Sequence, residues 1–177
     1  CLFFALLLAA PQFASALDYN WVGGSGNWRA FATHWAKIQI PLVPTDYHAN
    51  IPTSDDDVFF GANGGTAYTV FVDAGSTVPK CRNMDWSAVP AGTVWGGGGG
   101  TIDIYGSTTL DANMSITFTG QVQMFAQTVM CDIFTDGVHF PKDVVFKVTA
   151  YGWDFVDDFY CDENVYHQDG LIETNGH

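Results

Sequence analysis

The chain has 177 residues, 47% of them hydrophobic and only 14% charged, which is enough apolar material for one folded core and too much for a disordered tail. Its 19 acidic residues against 6 basic ones leave a formal net charge of −13. That balance argues against nucleic acid or an anionic membrane surface as a partner, since both are bound through Lys and Arg.

With 19 Gly, 14 Phe, 7 Tyr and 6 Trp, the composition favours strands and turns over helices. Residues 2–10 form an unbroken apolar run, followed by Pro11 and then by Ala14-Ser15-Ala16. An apolar stretch ahead of a small-x-small triplet predicts a secretory signal peptide. Residues 1–16 are therefore expected to be a truncated export signal, and the protein to be secreted or displayed at a cell surface. The run is too short for a membrane span, which takes about 20 apolar residues. Beyond it stand three cysteines, Cys81, Cys131 and Cys161. An odd number allows at most one disulfide among them and suggests small buried side chains rather than a disulfide framework. No C-x-x-C or H-x-x-x-H spacing points to zinc.

Residues 17–60 are irregular and aromatic. Trp21, Trp28 and Trp35 fall seven apart, but Gly23, Gly24 and Gly26 disfavour a helix between the first two. Residues 33–40 are expected to hold a short helix ended by Pro41, and Pro41, Pro44 and Pro52 mark a long loop. This stretch is expected to form an N-terminal cap, with the three tryptophans against the first regular layer. After it, Val58-Phe59-Phe60, Thr69-Val70-Phe71-Val72 and Cys81-Arg82-Asn83-Met84-Asp85-Trp86 are short strand-like runs. Residues 96–100, all glycine, make a loop or tight corner. From there the alternation is clear: Ile102-x-Ile104, Ile116-x-Phe118 and Val144-x-Phe146 each place apolar side chains on one face. Glycines at 106, 120, 137, 152 and 170 divide the rest into irregular units. Such a degenerate repeat predicts an all-β parallel β-solenoid over residues 61–177, with coils continuing beyond them. The alternative is an antiparallel β-sandwich with a hairpin at each glycine.

Several of these segments occur in an order found elsewhere. Trp21-Val22-Gly23-Gly24-Ser25-Gly26-Asn27-Trp28, His34-Trp35, Pro52-Thr53-Ser54-Asp55-Asp56-Asp57-Val58-Phe59-Phe60, Val72-Asp73 and Cys81-Arg82-Asn83-Met84-Asp85-Trp86 are followed by Ile102-Asp103-Ile104-Tyr105-Gly106-Ser107 and Ile116-Thr117-Phe118-Thr119-Gly120. This run resembles the start of large secreted, repetitive bacterial cell-surface proteins of the adhesin or autotransporter-passenger type. The resemblance implies a right-handed β-helix and export to the cell surface, and it implies no established catalytic residues.

Candidate sites are few. Asp55 and Asp57, with Asp73 as a third oxygen donor, are the one candidate for a cation, calcium, which takes six to eight oxygens. The competing expectation for these carboxylates is a turn in which they accept backbone N–H bonds. Asp157 and Asp158 suggest a glycosidase pair, but neighbouring strand residues point to opposite faces, and such a pair must converge at roughly 5–10 Å. There is no nucleophile elbow, and the glycine run lacks a phosphate-loop signature. Trp21, Trp28 and Trp35 are candidates for stacking on sugar rings, against the alternative that they cover an open solenoid end. No catalytic or cofactor-binding residue is expected. The function expected first is a non-catalytic adhesin-like or structural segment, meeting a glycan, a host or surface protein, or further repeats of its own chain. A carbohydrate-binding module, or a non-catalytic part of a polysaccharide-degrading enzyme, is the alternative.

Overall fold

A computed structural model describes residues 16–40, 43–127, 129–148 and 151–176. The expected signal peptide, residues 1–16, lies outside them except for Ala16. Strands stack in parallel into a β-solenoid of about five turns. The first sheet runs, from its C-terminal edge, through Leu171–Glu173, Gly152–Phe155, Cys131–Phe134, Thr108–Thr109, Met84–Ala88, Asp57–Gly61 and Asp18–Trp21 to Trp35–Ala36. The second holds Met114–Ile116, Thr93–Gly96, Thr69–Phe71 and Gly26–Asn27. The third holds Val165–His167, Val144–Val148, Gln121–Ala126, Thr101–Ile104 and Lys80–Cys81. A separate parallel pair, His139–Phe140 with Tyr160–Cys161, belongs to the later coils.

The pairing rules out the sandwich. Among the described strands, only Trp35–Ala36 pairs antiparallel, with Asp18–Trp21. Apart from an isolated antiparallel bridge between Ala36 and Tyr47, everything else is in parallel register, which hairpins cannot produce. The register also gives the true repeat. Val58 sits beside Met84, Met84 beside Thr108, Thr108 beside Ile133, Cys131 beside Trp153 and Gly152 beside Leu171. The coils therefore shorten toward the C-terminal end. The glycine spacing does not follow this repeat, because the glycines sit in different corners.

Alternation places the core where the sequence expects it. Ile102, Ile104, Ile116, Phe118, Val144 and Phe146 are all buried in one continuous cluster. Val145, between the last two, is also buried, so this strand is covered on both faces. All six tryptophans are buried. Aromatic rings stack inside the solenoid, from coil to coil for Phe60 on Trp86 at 3.7 Å and Trp95 on Phe118 at 5.9 Å, and within one coil for Trp86 on Trp95 at 6.0 Å. Trp86 and Trp95, in the middle of the run, each stack on two other rings, an offset-stacked geometry that adds to the area they bury. The indole N–H groups of Trp28, Trp86, Trp95 and Trp153 find no partner among the described residues, a cost that the surrounding apolar burial offsets.

The N-terminal region differs from expectation in one element. The helix expected over residues 33–40 is a single turn, Phe31–His34, and Trp35 is already extended. Trp35 leaves the helix because its backbone pairs with Trp21 while its indole packs between Trp21 and Trp28, at 4.9 and 5.0 Å. Tertiary packing outweighs local helix propensity here. Strand Asp18–Trp21 is itself a rung of the first sheet, and strand Asp57–Gly61 runs across residue 60. Gly97 marks a tight corner: its φ is +125° and a Cβ there would run into the Val72 carbonyl, so only glycine fits.

Candidate functional site

The aspartates do structural work at the corners. Asp56, the middle of the acidic triplet, is buried; one oxygen takes the Thr53 N–H at 2.9 Å and its hydroxyl at 2.7 Å, and the other takes the Leu17 N–H at 3.1 Å. Asp57 accepts two bonds from the Arg82 guanidinium and one from the Asn83 N–H. The Asn83 side-chain oxygen accepts the Ser107 N–H at 2.8 Å, and the Ser107 hydroxyl oxygen accepts the Asp132 N–H at 2.9 Å. Each coil thus holds the backbone of the next through one polar side chain, which settles buried donors that a sheet corner would leave open.

The three carboxylates of the cation candidate are not brought together. Both oxygens of Asp57 are engaged by Arg82, Asp73 accepts from Asn27 on another side of the solenoid, and Asp55 stands exposed. No group of three or more His, Cys, Asp or Glu side chains among the described residues could hold a metal ion. Asp157 and Asp158 lie at a corner after strand Gly152–Phe155 rather than on a strand. Asp157 accepts the N–H groups of Thr135 and Asp136, and Asp158 accepts from the Tyr160 hydroxyl at 3.0 Å. The stacking candidates Trp21, Trp28 and Trp35 are inside, at 1%, 0% and 0% exposure, so none offers a ring face to a ligand in solution. They pack on one another because the cap must close the first coil. Cys81, Cys131 and Cys161 are free thiols. Burial pushes Cys81 well up, and raises Cys131 to about 11, which makes both poor nucleophiles.

A cleft of about 460 Å³ lies at the corner between the third and first sheets. It spans several coils and is lined by Asp55, Arg82, Asn83, Tyr105, Ser107 and Gln127, with buried Cys131 also on its wall. Two of these side chains are fixed by the ladder and still have donors to give. The Nη1 group of Arg82 and the Nδ2 group of Asn83 make no hydrogen bond among the described residues. The Tyr105 ring stacks on Phe125 at 4.6 Å and 11°, and Lys147 lies 5.7 Å from the Phe125 centroid. Tyr105 therefore caps an outer aromatic column; its other face, on the side of the coil bearing Arg82, has no ring or cation against it among the described residues. Burial raises the Tyr105 hydroxyl above its ordinary value, so it stays protonated.

Apart from Asp55, a candidate cation ligand, sequence analysis assigned none of these cleft residues a site role. Arg82 and Asn83 lie one coil from Tyr105 and Ser107, so only the coil step, which the glycines hide, brings them together. Comparison with family models, with curated proteins and with solved structures returns no match to this chain.

Proposed function

We propose that this protein is a non-catalytic structural segment of an exported cell-surface protein, adhesin-like in kind, whose work is to build and carry a rod. The observation that supports it is the use of polar side chains: at the corners they bond the next coil, as in the succession Asp57, Asn83, Ser107 and Asp132. Carboxylates committed to backbone N–H groups are poor acids or bases for catalysis, and Asp157 is bonded in just this way. Export is supported by the apolar run of residues 2–10. No helix among the described residues is long and apolar enough to cross a membrane. Val165, Tyr166 and Leu171 on the last two described strands are about half exposed, a surface on which another coil of the same kind could stack.

Two measurements test this proposal. Antibodies raised against the protein should label intact cells of its source, and labelling only after lysis contradicts surface display. Incubation of the purified protein with neutral and acidic polysaccharides, with and without calcium, should release no reducing ends. Turnover that Asp157→Asn or Asp158→Asn abolishes would overturn the non-catalytic assignment.

A further inference from the structure

We propose that the cleft between the third and first sheets binds a short neutral saccharide, with the open face of Tyr105 beneath a pyranose ring. Three features of the corner point there. The volume of about 460 Å³ lies within the range of small-ligand sites, about 300–1,000 Å³. The polar groups are mixed at close quarters. Arg82 Nη1, Asn83 Nδ2 and the Ser107 hydroxyl proton are donors, whereas the exposed carboxylate of Asp55 is an acceptor with no side-chain bond among the described residues. A ligand meeting all of them must both donate and accept at neighbouring atoms, which vicinal hydroxyls do. The third feature is a ring already held in place: Phe125 stacks on Tyr105 from one side, and Tyr105 lines the cleft, so the platform is in place before a ligand arrives and costs little ordering entropy.

The charge pattern selects against acidic sugars. Arg82 is the cleft's only cation among the described lining residues, and the Asp57 carboxylate already matches its charge. Asp55 adds an unmatched negative charge, and the whole chain carries −13. A uronate would meet repulsion both locally and at long range. Other outer-face aromatic stacks compete poorly as platforms: Phe125 has Tyr105 on one face and Lys147 near its ring, and His139 is stacked on Tyr160 at 4.6 Å while paired to Asp162.

Calorimetric titration of the full chain with cellotetraose, xylotetraose, mannotetraose and tetragalacturonate tests the proposal. At least one of the neutral tetrasaccharides should bind, and tetragalacturonate should bind more weakly than that one. Tyr105→Ala should weaken the interaction at least about tenfold, Tyr105→Phe should retain most of it, and Asp55→Ala should weaken it severalfold. Because Tyr105→Ala also removes a stacking partner of Phe125, its melting curve is compared with the parent's; Asp55→Ala touches no such packing. Failure of all three neutral probes overturns the proposal, as does tighter binding of tetragalacturonate or binding indifferent to both alanine variants. Hydrolysis of a bound neutral probe would leave the cleft assignment standing and overturn the non-catalytic one.

Discussion

The two ends of the solenoid solve the same problem differently. At the N-terminal end the chain doubles back, and strand Trp35–Ala36 pairs antiparallel with Asp18–Trp21, closing the first sheet's edge. The indole N–H groups there are partly settled as well: Trp35 donates to the Trp28 carbonyl at 2.7 Å and Trp21 to the Gly24 carbonyl at 2.9 Å. At the C-terminal end strand Val165–His167 is exposed along its whole length, and Tyr160 has one ring partner among the described residues, His139. Residues 148–177 carry seven carboxylates and no Lys or Arg. A coil in such a stack draws its stability from two neighbours, and the coil of residues 151–176 has one among the described residues. Stability should therefore be graded along the axis, high where aromatic rings stack on both sides and low over the final strands.

Paired substitutions probe that gradient, and the largest contrast is between two aromatic residues. Trp95→Ala, which empties the middle of the stacked column, should cost about 3–5 kcal/mol in urea unfolding. Tyr166→Ala at the exposed edge should stay within about 0.5 kcal/mol. Equal losses would mean that the two ends are equally packed. Glycines give a second pair. Gly97→Ala drives a Cβ into the Val72 carbonyl between two packed coils and should cost about 3 kcal/mol. Gly152→Ala meets the Leu171 carbonyl instead; the outer strand can yield, so the loss should be nearer about 1 kcal/mol. A Gly152→Ala variant as unstable as Gly97→Ala would show the last coil to be held as firmly as the middle.

Smaller effects sharpen the account of the N-terminal side. Asp57→Asn removes the ion pair with Arg82 but leaves one acceptor for the Asn83 N–H. Since Arg82 is 42% exposed in its side chain, the loss should be about 1 kcal/mol. His48 should contribute a pH dependence. Its ring stacks on Tyr19 at 3.5 Å and bonds the Asp18 carbonyl at 3.0 Å. Burial pushes its pKa below the ordinary 6.5, with Lys37 adding to the shift while the Asp18 carbonyl and Asp56 oppose it. Just below pH 6.5 the unfolded chain then binds more protons than the folded one, so stability rises with pH through that window. Melting temperatures should fall as pH drops from 7 toward the folded pKa, and His48→Gln should flatten that slope. An unchanged slope in the variant would remove His48 as its source.

The parts of this fold that were legible in the sequence are those set by local alternation. Ile102, Ile104, Ile116 and Phe118 announce their inward face because strand side chains alternate, whatever the distant partner. The coil length was not legible. Gly106 and Gly170 turn from the third sheet to the first, Gly120 turns from the second to the third, and Gly152 opens a strand, so their spacing mixes different corners. A glycine marks where the chain bends sharply, not where it stands in the coil. The cleft was hidden for the same reason, since Arg82, Tyr105 and Gln127 come from three successive coils. The acidic triplet shows a further limit. Asp55 and Asp57 drew notice as paired carboxylates, but Asp56 is the buried one, because its two oxygens serve Thr53 and Leu17.

Native-state hydrogen exchange followed residue by residue tests the graded stack most directly. Amides of strands Thr93–Gly96, Thr101–Ile104 and Gln121–Ala126, between packed coils, should exchange only through global unfolding. Protection should decline through Gly152–Phe155 and be lowest over Val165–His167 and Leu171–Glu173, opening locally at much lower free energy. Protection of residues 165–173 equal to that of residues 93–126 would contradict the account.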